Sequence, residues 1–138
     1  MSVSTRIKAT RWLAYSFGVL APLGDTVRRW STWREFPPAL FDDYLMGALL
    51  IAGAWATRDN RSPRGRALLA AAWGFTCALG YCSTFLHWLA MQAGESDPAP
   101  IPTQWVFAIK VLGTLLAALA LTLTLVDTPA AAPDDPRQ

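Results

Sequence analysis

The chain has 138 residues, of which 53% are hydrophobic and only 16% charged, against roughly 25% charged in an average soluble domain. Its net charge of +2 is too small, and its basic residues too divided among short inter-helix segments, to suit a nucleic-acid-binding surface. Length and composition leave room for one membrane-embedded helical domain over residues 1–128, and for no soluble module.

Three long apolar runs, at 40–57, 67–91 and 105–126, dominate the chain. Runs of this length suit helices that cross a hydrocarbon core about 30 Å thick. In water they would expose more apolar surface than a soluble protein of this size tolerates. The expected fold is therefore all-α, an integral membrane bundle.

The first segment is the shortest. Residues 12–24 are apolar, with Arg11 before them, Asp25 after them and Pro22 inside. A basic start followed by a short apolar run is compatible with a signal peptide, an amphipathic surface helix, or a short span over residues 10–27. Pro22 would directly follow a cut after Ala21, which disfavours processing. If the segment spans, one side of the bundle carries Arg6, Lys8, Arg11, Arg58, Arg61, Arg64, Arg66 and Arg137. The other side carries only Arg28, Arg29 and Arg34. The positive-inside rule then favours four spans with both termini cytoplasmic.

The second helix is expected over 38–57, opened by Pro38, and the third over 63–92, with Ser62 as N-cap and Pro63 at the first helical position. Gly94 and the Pro-rich stretch 97–102 stop the third helix. Thr103 is placed to cap the fourth, over 103–126. The tail 129–138, rich in Ala, Pro and Asp without apolar periodicity, reads as disordered. Six of the seven tryptophans lie near the ends of apolar runs, where an indole keeps its ring in the lipid boundary; Trp73 is the exception. Ten arginines against two lysines, with many alanines, suggest a GC-rich bacterial coding sequence, for which the expected location of a helical bundle is the inner (plasma) membrane.

Helices in lipid associate mainly through close packing of small residues. Ala48, Ala52 and Ala56, with Gly47 and Gly53 alongside, form such a set in the second helix. Ala70, Gly74, Ala78 and Cys82 form one in the third, and Gly113 and Ala117 one in the fourth. Internal packing accounts for these stripes. A stripe turned outward would instead dock another subunit.

Charges within such helices are costly and normally face protein or water. Asp42 and Asp43 in the first turns of the second helix, His87 in the last turns of the third and Lys110 early in the fourth all fall at one end of an antiparallel bundle. Asp25, Arg28 and Arg29 emerge at the same end. Thr76, Ser83, Thr84 and Thr114 extend this polar cluster along the third and fourth helices. It reads either as a structural network, for example an Asp43–Lys110 pair, or as a site for an ion, proton or small polar ligand. In the second case Asp43 and His87 accept protons, Lys110 is the counter-charge and Tyr44 a hydrogen-bonding neighbour.

Cys77 and Cys82 stand about 140° apart on one helix and cannot pair locally. A single histidine excludes bis-histidine haem within one chain and disfavours a transition-metal cage, so no metal or other cofactor is expected. Nucleotide-loop, serine-elbow and metalloprotease motifs are absent. The leading expectation is a non-enzymatic accessory or interaction subunit of a membrane assembly, partnered by the bilayer and by a second copy or another membrane protein. A small oligomeric transporter or proton/ion-coupled carrier built on Asp43, His87 and Lys110 is the alternative. A membrane enzyme using the same cluster for acid–base chemistry is the third.

Overall fold

A computed structural model describes residues 3–30, 37–59 and 62–126. Among them are four α-helices and no strand: α1 (Val3–Arg28), α2 (Pro37–Ala56), α3 (Pro63–Gln92) and α4 (Thr103–Leu125). The expected tail 129–138 lies outside the described residues. By length and composition, α3 and α4 can cross a membrane.

The helices run up and down, each packing on the next, and α4 returns to α1 along a thinner seam. Ala14, Leu50, Leu69, Ala72, Trp73 and Ala117 meet in the core. Phe17 of α1 meets Trp73 of α3 edge-on across the middle, with centroids 5.6 Å apart.

Helix α1 starts at Val3 rather than near residue 10. The helix outruns its apolar stretch because Ile7 and Thr10 are buried against the bundle. Pro22 does not end it. Proline lacks the N–H that would bond the Gly18 carbonyl, and that oxygen turns instead toward Gly47 of α2. A methyl group on Gly47 would stand 2.5 Å from the Gly18 oxygen and 2.8 Å from Pro22 Cγ. One on Gly18 would stand 2.9 Å from the Gly47 oxygen. Two glycines thus let the α1 and α2 backbones touch, with room for weak Cα–H···O contacts.

Ser62 caps α3 as its sequence indicates, its Oγ accepting from the Gly65 N–H at 3.1 Å. At the other end Gly94 takes φ +77°, a conformation that favours glycine. The Glu95 N–H then reaches the Ala90 carbonyl and the Gly94 N–H the Met91 carbonyl, a Schellman closure. Thr103 does not cap α4. Pro102 occupies the N-cap position without a side-chain cap bond, and Thr103 Oγ1 accepts from the Asp97 N–H at 3.1 Å.

At the end holding the α2–α3 turn, arginines close two helices. Arg11 donates to the Thr57 and Arg58 carbonyls beyond the last turn of α2, and Arg66 to the Thr124 carbonyl near the end of α4. A cation there meets the negative end of each helix dipole.

Candidate binding site at the opposite end of the bundle

The opposite end gathers the last turn of α1, the first turns of α2 and α4, the last turns of α3 and the α3–α4 loop. Asp97 in that loop organises it. Its side chain is 1% exposed. Arg28 donates from Nε and Nη2 to its two oxygens at 2.6 to 3.0 Å. The Ala99 N–H bonds to Asp97 Oδ1 at 2.9 Å, so the side chain also holds its own turn. Burial alone would raise the Asp97 carboxyl, but the Arg28 hydrogen bonds, the Ala99 N–H and the Arg28 and His87 charges outweigh it and hold it below the usual range.

Arg28 also pairs with Asp25 one turn back at 2.8 Å, and Arg29 lies 2.6 Å from the other Asp25 oxygen. His87 is buried, with Nδ1 3.3 Å from Asp97 Oδ2 and Nε2 3.3 Å from the Thr103 carbonyl. Both neighbours are hydrogen-bond acceptors. The ring stacks on Phe107 with centroids 6.1 Å apart.

The residues singled out from sequence separate here into distinct roles. Asp42 is exposed, whereas Asp43 turns inward beside Asp25. Tyr44 is half-exposed and its hydroxyl bonds to Thr26 Oγ1 at 3.0 Å. Lys110 Nζ donates to Ser83 Oγ at 2.9 Å. The Asp43–Lys110 pair considered above does not form. The ion pairs among the described side chains at this end join Arg28, Arg29 and His87 to Asp25 and Asp97. Thr114 donates its proton to the Lys110 carbonyl at 2.8 Å, so Thr84, 3.3 Å away, is the donor between the two hydroxyls. Thr76 bonds to the Ala72 carbonyl of its own helix.

Two cavities meet at this cluster. A chamber of about 250 Å³ lies under the loop, lined by His87, Glu95, Ser96, Asp97 and Thr103. A larger cleft of about 540 Å³ runs between α1 and α4, lined by Phe17, Leu20, Met46, Leu79, Ile109 and other apolar side chains. Asp25, Asp43, Thr76 and Thr114 also face the cleft. Arg28, Arg29, Ser83 and Lys110 line both.

The small-residue stripes divide as well. Ala117 is fully buried, but Ala78 and Cys82 are exposed and the space above Gly74 is open. Ala70 is only partly covered, and Gly113 meets nothing nearer than Phe17, 3.9 Å from where its Cβ would stand. Close crossings use other glycines: Gly18 with Gly47, Gly53 against Leu69, Gly65 against Ala56 and Gly80 against Thr114. The same substitution logic applies in α2, where Ala48 and Ala52 are exposed and Gly47 and Gly53 are buried.

Sequence reasoning missed Asp97. It sits in a loop without hydropathic pattern, and the available signal was an acid between Ser96 and Pro98, two residues after Glu95 and opposite the basic end of α1. Among the described residues no cluster of three or more His, Cys, Asp or Glu side chains is arranged to hold a metal ion. No protein-family model, curated protein or solved structure matches this chain.

Proposed function

We propose that this chain is a four-span integral protein of a bacterial inner membrane, with both ends cytoplasmic, that serves as a non-enzymatic accessory subunit of a membrane assembly. Support for the membrane setting comes from what the bundle leaves uncovered. Only 22% and 17% of the most apolar stretches of α3 and α4 are buried, unlike core helices of a soluble protein. Leu20, Ile51, Leu86, Leu115 and many others face outward on all four helices. Exposed tryptophans mark both ends: Trp12 and Trp55 at one, Trp30, Trp88 and Trp105 at the other. Eighteen residues separate Trp12 from Trp30, roughly 27 Å of helix, close to a hydrocarbon core. The packing of α2 on α3, and of α1 on α2 and α4, supports a shared depth for all four helices.

The observation that carries the accessory role is the outward stripe Ala70, Gly74, Ala78 and Cys82. The internal crossings already have their own glycines, so this face is left for another helix to approach closely. Native mass spectrometry of the protein gently extracted from its own membrane tests the reading. A second polypeptide at fixed stoichiometry is expected, and it should dissociate in Gly74→Leu, whose Cβ has nothing within 4 Å in the bundle. A chain that runs alone, unaffected by Gly74→Leu, would rule this role out. The carrier reading is favoured by one feature: Asp43 and Lys110 face the cleft without pairing with each other. Flux that vanishes in Asp43→Asn while the protein stays folded would support it.

A further inference from the structure

We infer that the α1–α4 cleft and the chamber beneath the loop form one binding site for an anionic amphiphile, with a phosphate or carboxylate head and an acyl chain. The inference rests on how the two cavities join. The chamber walls mix polar and apolar surface about evenly whereas the cleft walls are largely apolar, so the more polar chamber suits a head group and the cleft a chain. At the junction stand Arg28, Arg29, Lys110 and Ser83, the residues common to both. That junction holds three cations, two of them already ion-paired, Arg28 with Asp25 and Asp97 and Arg29 with Asp25.

In the cleft Asp25 and Asp43 oppose three cations, and Asp25 is already ion-paired with both Arg28 and Arg29. In the chamber Asp97 is engaged by Arg28, and the exposed Glu95 is a second carboxylate in its lining. Lys110 differs from the arginines: its one hydrogen-bond partner in the structure is the neutral Ser83 hydroxyl, which leaves two of its three N–H groups to donate. An anionic head there gains charge-assisted bonds in a partly dehydrated setting.

Glycines keep the apolar part open. Gly24 on the α1 wall and Gly113 on the α4 wall both line the cleft, and nothing fills the space above either except Phe17, 3.9 Å from a Cβ at Gly113. Leu20 and Val27 of α1 and Ile109 of α4 continue these walls outward and are exposed. A chain lying between them would therefore be reached from the side of the bundle, as a lipid tail is. The volume, about 540 Å³, falls within the range of small-molecule sites.

The test is native mass spectrometry of the purified full chain in neutral detergent, titrated separately with phosphatidylglycerol, phosphatidylcholine and palmitate. Phosphatidylglycerol retained in preference to phosphatidylcholine is expected, with occupancy at matched concentration falling about tenfold in Lys110→Gln. Gly113→Leu should abolish retention by filling the cleft while leaving the head contacts in place, and it keeps the test decisive if Lys110→Gln folds poorly. Palmitate retained without phosphatidylglycerol would assign the same head chemistry to a free amphiphile rather than to a bilayer lipid. Equal retention of the two phospholipids, no retention of any anionic probe, or retention indifferent to both variants would overturn the inference.

Discussion

Arg28 grips both oxygens of Asp97, with its Nη2 at 2.6 Å, and so ties the end of α1 to the α3–α4 loop across 69 residues of sequence. Because the carboxylate is almost wholly buried, losing Arg28 strands its charge, and losing Asp97 leaves Arg28 with Asp25 alone. Asp97→Asn and Arg28→Gln should each destabilise the protein by about 3 kcal/mol. A double-mutant cycle of thermal midpoints in detergent should show strong coupling. Additive losses would mean that the pair contributes nothing beyond its separate contacts.

Asp97 also sets an acid limb. Its carboxyl is held below the usual range in the folded protein, so its contribution is complete above the unfolded value of about 3.9 and is lost as pH falls through the lower folded value. Stability attributable to Asp97 should be flat from pH 7 to about 5 and should decline below about 4. Subtracting the Asp97→Asn pH profile from that of the unaltered protein isolates this limb.

Close backbone contact makes Gly47 and Gly24 opposite cases. Gly47→Ala places a methyl 2.5 Å from the Gly18 oxygen, and should lower stability by about 1–3 kcal/mol as α1 and α2 move apart. Gly24→Ala meets nothing within 4 Å, and should stabilise by about 0.5–1 kcal/mol through helix propensity. Chemical denaturation of the two variants side by side reads the difference in sign.

Trp73 is fully buried, and its Nε1 has no hydrogen-bond partner among the described residues. Removing the whole side chain in Trp73→Ala should cost about 3–5 kcal/mol. Trp73→Phe deletes volume without breaking a hydrogen bond and should cost under about 2 kcal/mol. Similar losses in the two variants would reveal a bond to the indole N–H.

Four spans require a definite pattern of sidedness. With Cys77 and Cys82 replaced by alanine, single cysteines at Lys8 and Asp59 should label from the cytoplasmic face, and one at Ser96 from the opposite face. Labelling of the Lys8 and Ser96 positions from the same side would leave α1 on the surface rather than across the bilayer.

Much of this arrangement was already present in one dimension. Apolar runs, Ser62-Pro63 and Gly94 located α3, because capping and hydropathy act over a few residues. In an antiparallel bundle, element order alone puts the charges at 25, 28, 29, 43, 87 and 110 at one end. What local pattern could not supply was partner choice. The contacts that decide α1's length, Pro22's tolerance within the helix and the use of Gly18 and Gly47 as a crossing come from a second helix. Small-residue spacing marks a face but does not say which face turns inward, so α3's stripe emerged outside while Trp73 took the centre. Asp97 became the hub, and Lys110 bonded Ser83 rather than Asp43, because ion pairing depends on distances of a few ångströms that only folding sets.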